Sequence, residues 1–395
     1  MKYYGGLCIN VFMGKPILKY DLHLHLYGCL TPEDISDLGH DIWPLRRDRL
    51  EAYSARYNQA FGRRPDYESY WSEQDSDNRN PKNIARDFLC ITPATFQQFE
   101  AKFGLPIALF PISSARDDLR VLQRVMTRHR AEGRHHVEYR VVYPPASVPS
   151  SYSLMIHLNG LCAAMDRFDL ESDGVFEPRL ALSLSREPTL AMDQYKEIKS
   201  WQESTPSKWK RILTALDFSG YEEDFTADGL EAVARRLHID NATTPKDALA
   251  LLIHAGETME RISVADGVRR IEAAAKMGAH RIGHAVAMGA PCDEATRLFQ
   301  DRTRAWIATQ TSCVIECCLT SNLMLAGVGN LESHPVRKFL ADGLRVCFAT
   351  DDPGVFGTDS TQEAAKAISL IGNNQFEKTN LETPNWRSEI LCGRF

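Results

Sequence analysis

The sequence lacks the features that mark membrane, secreted and nucleic-acid-binding proteins. No run among its 395 residues approaches the ~20 apolar residues that a membrane-spanning helix needs. The apolar stretch Leu7–Met13 is short, contains Asn10 and precedes no small-residue cleavage pattern, so we expect no secretory signal. The net charge of -6 gives no reason to expect a nucleic-acid partner, because such proteins usually carry a basic patch.

Cysteine is present but follows no regular pattern. The ten cysteines include the adjacent Cys317 and Cys318, and no C-x-x-C pair occurs. Scattered thiols in a chain of this length favour a reducing cytoplasm over a disulfide framework, and we expect most of them to be small buried hydrophobes. A G-x-G-x-x-G motif is also missing after the first predicted strand, which disfavours a dinucleotide-binding sheet.

Eight short apolar runs are separated by gaps long enough for crossover helices. The runs are Ile17–Leu26, His136–Tyr143, Arg179–Leu184, Ile212–Phe218, Ala248–Ile253, His280–Ala285, Val314–Leu319 and Arg345–Ala349. Helical periodicity lies between them, as in Ser114–Glu132, Val264–Met277 and Pro335–Leu340. Alternating strands and helices predict an α/β fold with a parallel sheet, within one domain spanning residues 1–395. Eight strands favour a closed (β/α)8 TIM barrel, and an open doubly wound sheet is the alternative.

The stretch from Leu38 to about Pro111 does not fit this repeat. It is polar with scattered aromatic residues, and Asp75–Pro81 has the composition of a loop. We interpret residues 38–111 as a helical insertion after strand 1, on the side where barrel active sites lie. The insertion is either a lid that shapes the substrate pocket or a surface and oligomer-contact elaboration.

His23 and His25 lie two positions apart on the first predicted strand, so both side chains share one face. Paired imidazoles suit a zinc ion, although a short H-x-H motif also arises by chance. His254 ends the fifth run and opens the segment His-Ala-Gly-Glu. The carboxylate of Glu257 would then lie beside a possible ligand, where general acid–base chemistry needs it.

His284 ends the sixth run, and Asp351 and Asp352 end the eighth. An Asp-Asp-Pro segment alone most often forms a turn. However, all of these segments fall at the carboxyl ends of predicted strands, where barrels place their catalytic groups. Three histidines and one aspartate there would form a zinc site with an open position for water.

These motifs occur in order along residues 20–360, and together they resemble the adenosine deaminase family of zinc (β/α)8 enzymes. The matching segments are Asp21-Leu-His-Leu-His-Leu26, Asp217-Phe-Ser-Gly220, His254-Ala-Gly-Glu257, Arg281-Ile-Gly-His284, Thr320-Ser-Asn322 and Thr350-Asp-Asp-Pro353. The resemblance implies a zinc-dependent hydrolytic deaminase of adenosine or a related aminopurine that releases ammonia.

The resemblance also implies a role for each site residue. One Zn²⁺ per chain would be bound by His23, His25, His254 and Asp351. Glu257 would protonate ring nitrogen N1, and His284 would orient the attacking water and assist its deprotonation. Asp352 would contact N7 or hold the water, and the Gly220 N–H would approach N3.

Three departures from the family pattern bear on the substrate. Tyr27 occupies the position where adenosine deaminases usually have an aspartate that meets the ribose, and where related adenine deaminases have glutamate. A phenol there either contacts the substrate or simply packs. Leu319 replaces a usual proline and Ala285 a usual glycine. Adenine or a modified, N6-substituted adenine is therefore the alternative substrate.

Two further alternatives remain at this stage. Another amidohydrolase-type metal hydrolase on the same barrel, such as a cyclic-amide hydrolase, would also use these ligands, but Glu257 and the Asp-Asp pair suit proton donation to a ring nitrogen. A catalytically silent binding protein would be expected to have lost some of these groups. We interpret His334, in His334-Pro335, as structural.

Overall fold

The computed structural model describes residues 16–71, 81–110, 115–142, 154–172, 174–222 and 227–380. The stretch Leu7–Met13 and nearly all of the predicted loop Asp75–Pro81 lie outside the described residues. Among the residues described, no helix combines the length and apolar character needed to cross a bilayer.

Eight parallel strands form one sheet in sequence order. They are β1 Tyr20–His25, β2 His136–Val142, β3 Glu177–Ser183, β4 Leu213–Phe218, β5 Ala250–Ala255, β6 Arg281–His284, β7 Val314–Cys317 and β8 Arg345–Phe348. The sheet closes on itself, because His25 N donates to Asp351 O at 3.1 Å and Asp351 N donates to His23 O at 2.9 Å. The predicted (β/α)8 barrel is confirmed, and the open sheet is excluded.

Helices connect successive strands along the chain. The described α-helices are α1 Pro32–Gly39, α2 Arg47–Phe61, α3 Pro81–Phe88, α4 Phe96–Leu109, α5 Ala115–Ala131, α6 Leu154–Glu171, α7 Pro188–Ser204, α8 Ser207–Lys210, α9 Glu231–Thr243, α10 Val264–Lys276, α11 Glu294–Gln310, α12 Leu319–Leu325, α13 Val336–Ala341, α14 Pro353–Phe356 and α15 Ser360–Ile371. Local sequence sets their bounds: α10 begins at a Ser263–Asp266 capping box and is followed by Gly278 at a φ of 79°.

The barrel interior contains an ion-pair network as well as apolar side chains. The small cluster Ala181, Ala215, Ala250 and Leu252 fills one part. Next to it, Arg281 on β6 binds Glu138 on β2 and Glu316 on β7, and all three are at least 95% buried. Buried charges need such mutual pairing, so this network fixes the side chains directly beneath the mouth of the barrel.

Helices α1 to α5 lie between β1 and β2 in the chain. Within this segment, the carboxylate of Asp87 accepts hydrogen bonds from Tyr70 at 2.8 Å, from Arg63 at 2.6 Å and from Tyr57 at 3.4 Å. Asp87 is fully buried. One residue at the end of α3 therefore joins three aromatic and basic side chains from separate parts of the segment.

The same segment is bonded to the loops that follow three barrel strands. Cys90 N donates to Val355 O at 2.8 Å, Ala94 N to Met324 O at 2.9 Å, and Phe96 N to Glu260 Oε1 at 2.5 Å. These acceptors follow β8, β7 and β5, so the segment lies against the carboxyl-terminal mouth. Its action as a lid stays a prediction.

The cysteines behave as the sequence suggests. Eight of them fall among the described residues, none of these forms a disulfide, and all but Cys292 are buried. They therefore pack as small apolar side chains.

Candidate active site

Three imidazoles and one carboxylate converge at the mouth of the barrel. His23 and His25 extend from one face of β1, His254 comes from β5, and Asp351 directly follows β8. His23 Nε2 lies 3.0 Å from His254 Nε2 and 3.3 Å from Asp351 Oδ1, and His25 Nε2 lies 3.4 Å from the same Oδ1. The structure thus brings together all four predicted metal ligands.

These separations suit a tetrahedral metal ion. Zinc bound at about 2.0–2.1 Å separates neighbouring donor atoms by roughly 3.3–3.4 Å, which is close to the observed spacing. Burial, opposed by the charge of Asp351 and assisted by His23 and His254, lowers the pKa of His25 to about 3, so the neutral ring is favoured and can donate a lone pair. Burial opposes ionisation of Asp351, but the surrounding histidines hold its pKa well below the usual range.

Two carboxylates lie beside the Nδ1 atoms of two of the imidazoles. Glu316 Oε2 lies 2.9 Å from His23 Nδ1, and Asp217 Oδ1 lies 3.3 Å from His254 Nδ1. Glu316 thus fixes the proton of His23 on Nδ1 and turns the Nε2 lone pair towards the metal position, as in known metal sites, and Asp217 lies on the corresponding side of His254. Sequence reasoning assigned no role to either carboxylate, although Asp217 lies in one of the segments that resemble the family.

Arg140 of β2 adds a fixed positive charge that sequence reasoning missed. Its Nη2 binds Glu316 Oε2 at 2.5 Å, and its Nη1 lies 2.9 Å from His23 Nε2. Asp217 Oδ1 is 3.5 Å from this Nη1 and is buried without a hydrogen bond. The guanidinium therefore balances the negative charges of Glu316 and Asp217.

Cys318 is a further potential ligand near this site. Its Sγ groups with donor atoms of His23, His284 and Asp351, all within 4.8 Å of one another. Burial raises the pKa of Cys318 well above its usual value. Because only the thiolate binds metals well, we assign the metal position to the imidazoles and Asp351.

Glu257 is held in place by hydrogen bonds to its own and its neighbours' backbone N–H groups. The carboxylate of Glu222 accepts the N–H groups of Gly256 at 2.8 Å, Glu257 at 2.6 Å and Thr258 at 3.0 Å, and Gly256 adopts a φ of 66°. Burial, reinforced by the charges of Asp351 and Glu222, raises the pKa of Glu257 well above its usual value. The neutral, protonated carboxyl is thus favoured, as a general acid requires.

Asp352 is the second carboxyl with a raised pKa at the site. Burial is the main cause, followed by the adjacent charge of Asp351. Its Oδ1 is buried without a hydrogen-bond partner. A Cβ on Gly28 would fall 1.6 Å from this oxygen, so glycine at position 28 makes room for the carboxyl. Asp352 also lines the cavity beside the metal position.

Backbone strain coincides with the site. Among the described residues, positive φ angles outside glycine occur at Asp351 (63°), His284 (67°) and Ala285 (52°). Such conformations cost about 1–3 kcal/mol each and are retained where the surroundings enforce them. The left-handed φ also explains why glycine would suit position 285. Leu319 opens α12, a first-turn position that equally favours proline.

A cavity of about 140 Å³ opens beside these groups. Its lining includes the predicted substrate contacts Tyr27 and Gly220, together with Glu257, His284 and Asp352. Helix α4 contributes Phe96, Phe99, Glu100 and Phe103, which sequence reasoning did not assign to the site. Polar groups on one side and three phenyl rings on another fit a flat heterocycle.

Tyr27 is committed to an acidic partner. Its hydroxyl donates to Asp118 Oδ1 at 3.0 Å, and His157 Nδ1 lies 3.1 Å from the other carboxylate oxygen. Tyr27 is 2% exposed and Asp118 is 1% exposed. The ring therefore forms part of the pocket wall, while the hydroxyl is bound by α5. His157, for which the sequence predicts no role, completes this cluster.

Residues 78–388 match the sequence profile of the family described as adenosine deaminase, which is well over half of the chain. An adenosine deaminase of Escherichia coli (strain SE11) is 32% identical over 161 residues, covering 40% of this chain and 41% of that protein. The match thus spans about two fifths of the length of such curated relatives.

Solved structures share the fold over nearly the whole chain. An adenine deaminase from Arthrobacter aurescens is 18% identical, with 95% of this chain and 98% of that chain covered and a TM-score of 0.62. An Arabidopsis N6-mAMP deaminase is 17% identical, with coverages of 95% and 97% and a TM-score of 0.59. At these identities the likeness establishes the barrel architecture.

Proposed function

The chain belongs to the adenosine deaminase family, and from this premise we propose that it is a zinc-dependent hydrolytic deaminase of adenosine or a related aminopurine. The observation that carries the proposal is the placement of the buried Glu257 carboxyl beside a four-donor metal position. Glu257 Oε1 lies 3.5 Å from His284 Nε2, which lies 3.9 Å from Asp351 Oδ2.

We propose His23, His25, His254 and Asp351 as the ligands of one zinc ion. Three imidazoles and a carboxylate are a donor set that zinc favours. When bound, zinc supplies a water whose pKa is lowered to about 7 and which is therefore nucleophilic at neutral pH.

Glu257 and Asp352 then supply the proton chemistry. Water adds at the ring carbon that bears the amino group, and Glu257 transfers its carboxyl proton to the neighbouring ring nitrogen. The carboxylate of Glu257 regains the proton that the water loses. The added hydroxyl passes its own proton to the amino group and becomes the carbonyl oxygen as the carbon–nitrogen bond breaks, so the amine leaves as ammonia. Asp352, whose Oδ1 is unsatisfied, accepts or donates a hydrogen bond at the imidazole part of the purine.

Helix α4 and Gly220 complete the proposed substrate contacts. Phe99 stacks on Phe103 with ring centroids 5.7 Å apart and on Phe356 at 5.4 Å, which gives a rigid aromatic wall. Gly220 has a φ of 84°, and its backbone N–H is proposed to meet the pyrimidine edge of the purine. Because α4 lies in the 38–111 insertion, we also propose that this insertion acts as the lid, within a single deaminase domain of residues 1–395.

One observation favours a second substrate class. The acid that a ribose contact would use is replaced by Tyr27, whose hydroxyl is already bound by Asp118. This favours adenine or an N6-substituted adenine as the alternative to adenosine. The structural likeness to an adenine deaminase and to an N6-mAMP deaminase is compatible with either. The eight cysteines among the described residues are free thiols, which agrees with the predicted location in a reducing cytoplasm.

Ammonia release tests the proposal directly. Purified protein is assayed with adenosine, adenine, N6-substituted adenines, adenosine phosphates and pterins, and its metal content is measured. We expect about one zinc per chain, as for a single four-ligand site. Activity on an aminopurine should require that zinc, and a metal-free preparation with full activity would contradict the proposal.

The variant Glu257→Gln separates metal binding from catalysis. It removes the proton donor but none of the ligands, so zinc content should be unchanged while kcat falls by about 10²- to 10⁴-fold. Glu294→Gln, at a residue whose side chain is 81% exposed, is the matched control and should keep full activity. Full activity in Glu257→Gln would rule out the assigned role.

A further inference from the structure

Three buried polar side chains form a line of hydrogen bonds that leads away from the active site. His284 ends β6, Asn322 lies in α12, and His334 closely precedes α13. His284 Nδ1 is 2.9 Å from Asn322 Nδ2, and Asn322 Oδ1 is 3.0 Å from His334 Nε2. The three residues are at most 2% exposed, so bulk water does not interrupt the line.

The far end of the line has a fixed polarity. The backbone N–H of Val336 donates to His334 Nδ1 at 3.2 Å, and a backbone amide is only ever a donor here. His334 Nδ1 must therefore be the acceptor. Burial lowers the pKa of His334 to about 4, so the ring is neutral and carries its single proton on Nε2.

This polarity passes through Asn322. The N–H at Nε2 of His334 needs an acceptor, and the amide of Asn322 can offer one only through its oxygen. Its NH2 group then faces His284 Nδ1, which must accept. A neutral His284 with an accepting Nδ1 carries its proton on Nε2.

The opposite tautomer would conflict with this arrangement. A proton on His284 Nδ1 would face the NH2 group of Asn322, placing two donors against each other where no water can separate them. Turning the amide of Asn322 would only move the conflict, because its NH2 would then meet the N–H of His334. The polarity set at Val336 is therefore transmitted without a break to His284.

We infer that Asn322 and His334 are positioning residues that hold His284 as an Nε2–H hydrogen-bond donor towards the reacting oxygen. The inference rests on the proposed deaminase function for what that oxygen is, but not for the tautomer itself. Nε2 of His284 faces Glu257 Oε1 and Asp351 Oδ2 across 3.5 and 3.9 Å. The Nε2–H of His284 orients the attacking water by a hydrogen bond but cannot accept its proton. A carboxylate therefore accepts the proton of the water.

Long-range ¹H–¹⁵N correlation spectra of histidine-labelled, zinc-loaded protein test the tautomer, with the His284 signals assigned by a His284→Gln variant. In the wild type, the proton should reside on Nε2 of His284. In Asn322→Asp, the carboxylate accepts from both rings, so Nδ1 of His284 should gain a proton. Asn373→Asp, an exposed asparagine-to-aspartate change, should leave the spectrum unaltered.

Two outcomes would overturn the inference: a proton on Nδ1 of His284 in the wild type, or an unprotonated Nδ1 in Asn322→Asp. The readout needs no substrate. If no aminopurine is deaminated, the proposed function fails while the spectra still decide the tautomer.

Kinetics provide a second variant in case Asn322→Asp does not fold. His334→Phe removes the donor that fixes the amide of Asn322, so kcat should fall at least tenfold with KM and zinc content nearly unchanged. His334→Gln restores an N–H donor and should recover most of kcat. Full kcat in His334→Phe, or no recovery in His334→Gln, would show that the line of hydrogen bonds does not position His284.

Discussion

At the residue scale, Gly28 occupies a position at the site where no larger side chain fits. Gly28 leaves the space that the Asp352 carboxyl fills, and a methyl group at position 28 would overlap that carboxyl. Asp352 cannot yield easily, because the backbone of its neighbour Asp351 is hydrogen-bonded to β1.

Gly28→Ala should therefore remove most of the deaminase activity. Overpacking in a filled interior typically costs about 1–3 kcal/mol, and displacement of the Asp352 carboxyl adds the loss of a substrate contact. Activity and urea unfolding measure the two effects. Gly329→Ala is the control, because nothing lies within 4 Å of a Cβ built there. Equal activity in both variants would mean that Asp352 can move without consequence.

Tyr27 is the residue that bears most directly on the substrate. Tyr27→Asp introduces the acid that the family resemblance implies for a ribose contact. We expect kcat/KM for adenosine, relative to adenine, to rise tenfold or more, which corresponds to about 1.4 kcal/mol. Tyr27→Phe keeps the ring and loses only the bond to Asp118, so it should leave the ratio unchanged. An unchanged ratio in Tyr27→Asp would show that position 27 does not contact the substituent at N9.

At the scale of elements, the insertion depends on one buried carboxylate. Burial opposes ionisation of Asp87, but hydrogen bonds from Arg86, Arg63 and Tyr70 outweigh it and lower its pKa. Because the folded pKa lies below the ordinary value, this stabilisation is present above about pH 4 and is lost as the pH falls through the folded pKa.

Asp87→Asn should thus lower the free energy of unfolding by about 1–3 kcal/mol at neutral pH. Arg63 and Arg86 contribute less to this difference than buried partners would, because both side chains are half-exposed. The difference from wild type should shrink below about pH 4. Urea unfolding at pH 7 and pH 3.5 measures both. Asp193→Asn, which breaks an exposed pair with Lys196, should change stability by no more than about 0.5 kcal/mol. A constant difference at both pH values would contradict this account.

The elements themselves were largely predictable. Each of the eight apolar runs overlaps a strand, because parallel strands buried on both faces produce continuous apolar segments. The proposed metal ligands were visible because each lies in or just after the carboxyl-terminal part of a strand. Glu316 and Arg140 were not recognised, because neither lies in a segment with a motif and each acquires its partners only across the barrel. Phe96 and Phe99 lie in the insertion, which has no repeat to place it.

At the scale of the whole molecule, the proposed ligands connect the beginning, middle and end of the barrel. A ligand that binds only the folded state stabilises it according to its concentration over its Kd, by about 4 kcal/mol at a thousandfold excess. Removal of zinc with a chelator should therefore lower Tm by several degrees, and zinc should restore it.

Thermal unfolding with and without chelator checks this expectation. His25→Ala, which lacks one ligand, should show a much smaller response to chelator and serves as the control. An unchanged Tm in the chelated wild type would argue against a zinc ion that bridges the strands.

The seam between β1 and β8 has a consequence for biosynthesis. Asp351 is bonded to the backbone of His23 and His25, so the last proposed ligand completes both the seam and the donor set. Until β8 and Asp351 have been synthesised, the nascent chain contains only the three histidines of the proposed ligand set. Metal uptake would thus follow translation, and a nascent chain arrested before residue 351 would be unable to retain zinc as the finished protein does.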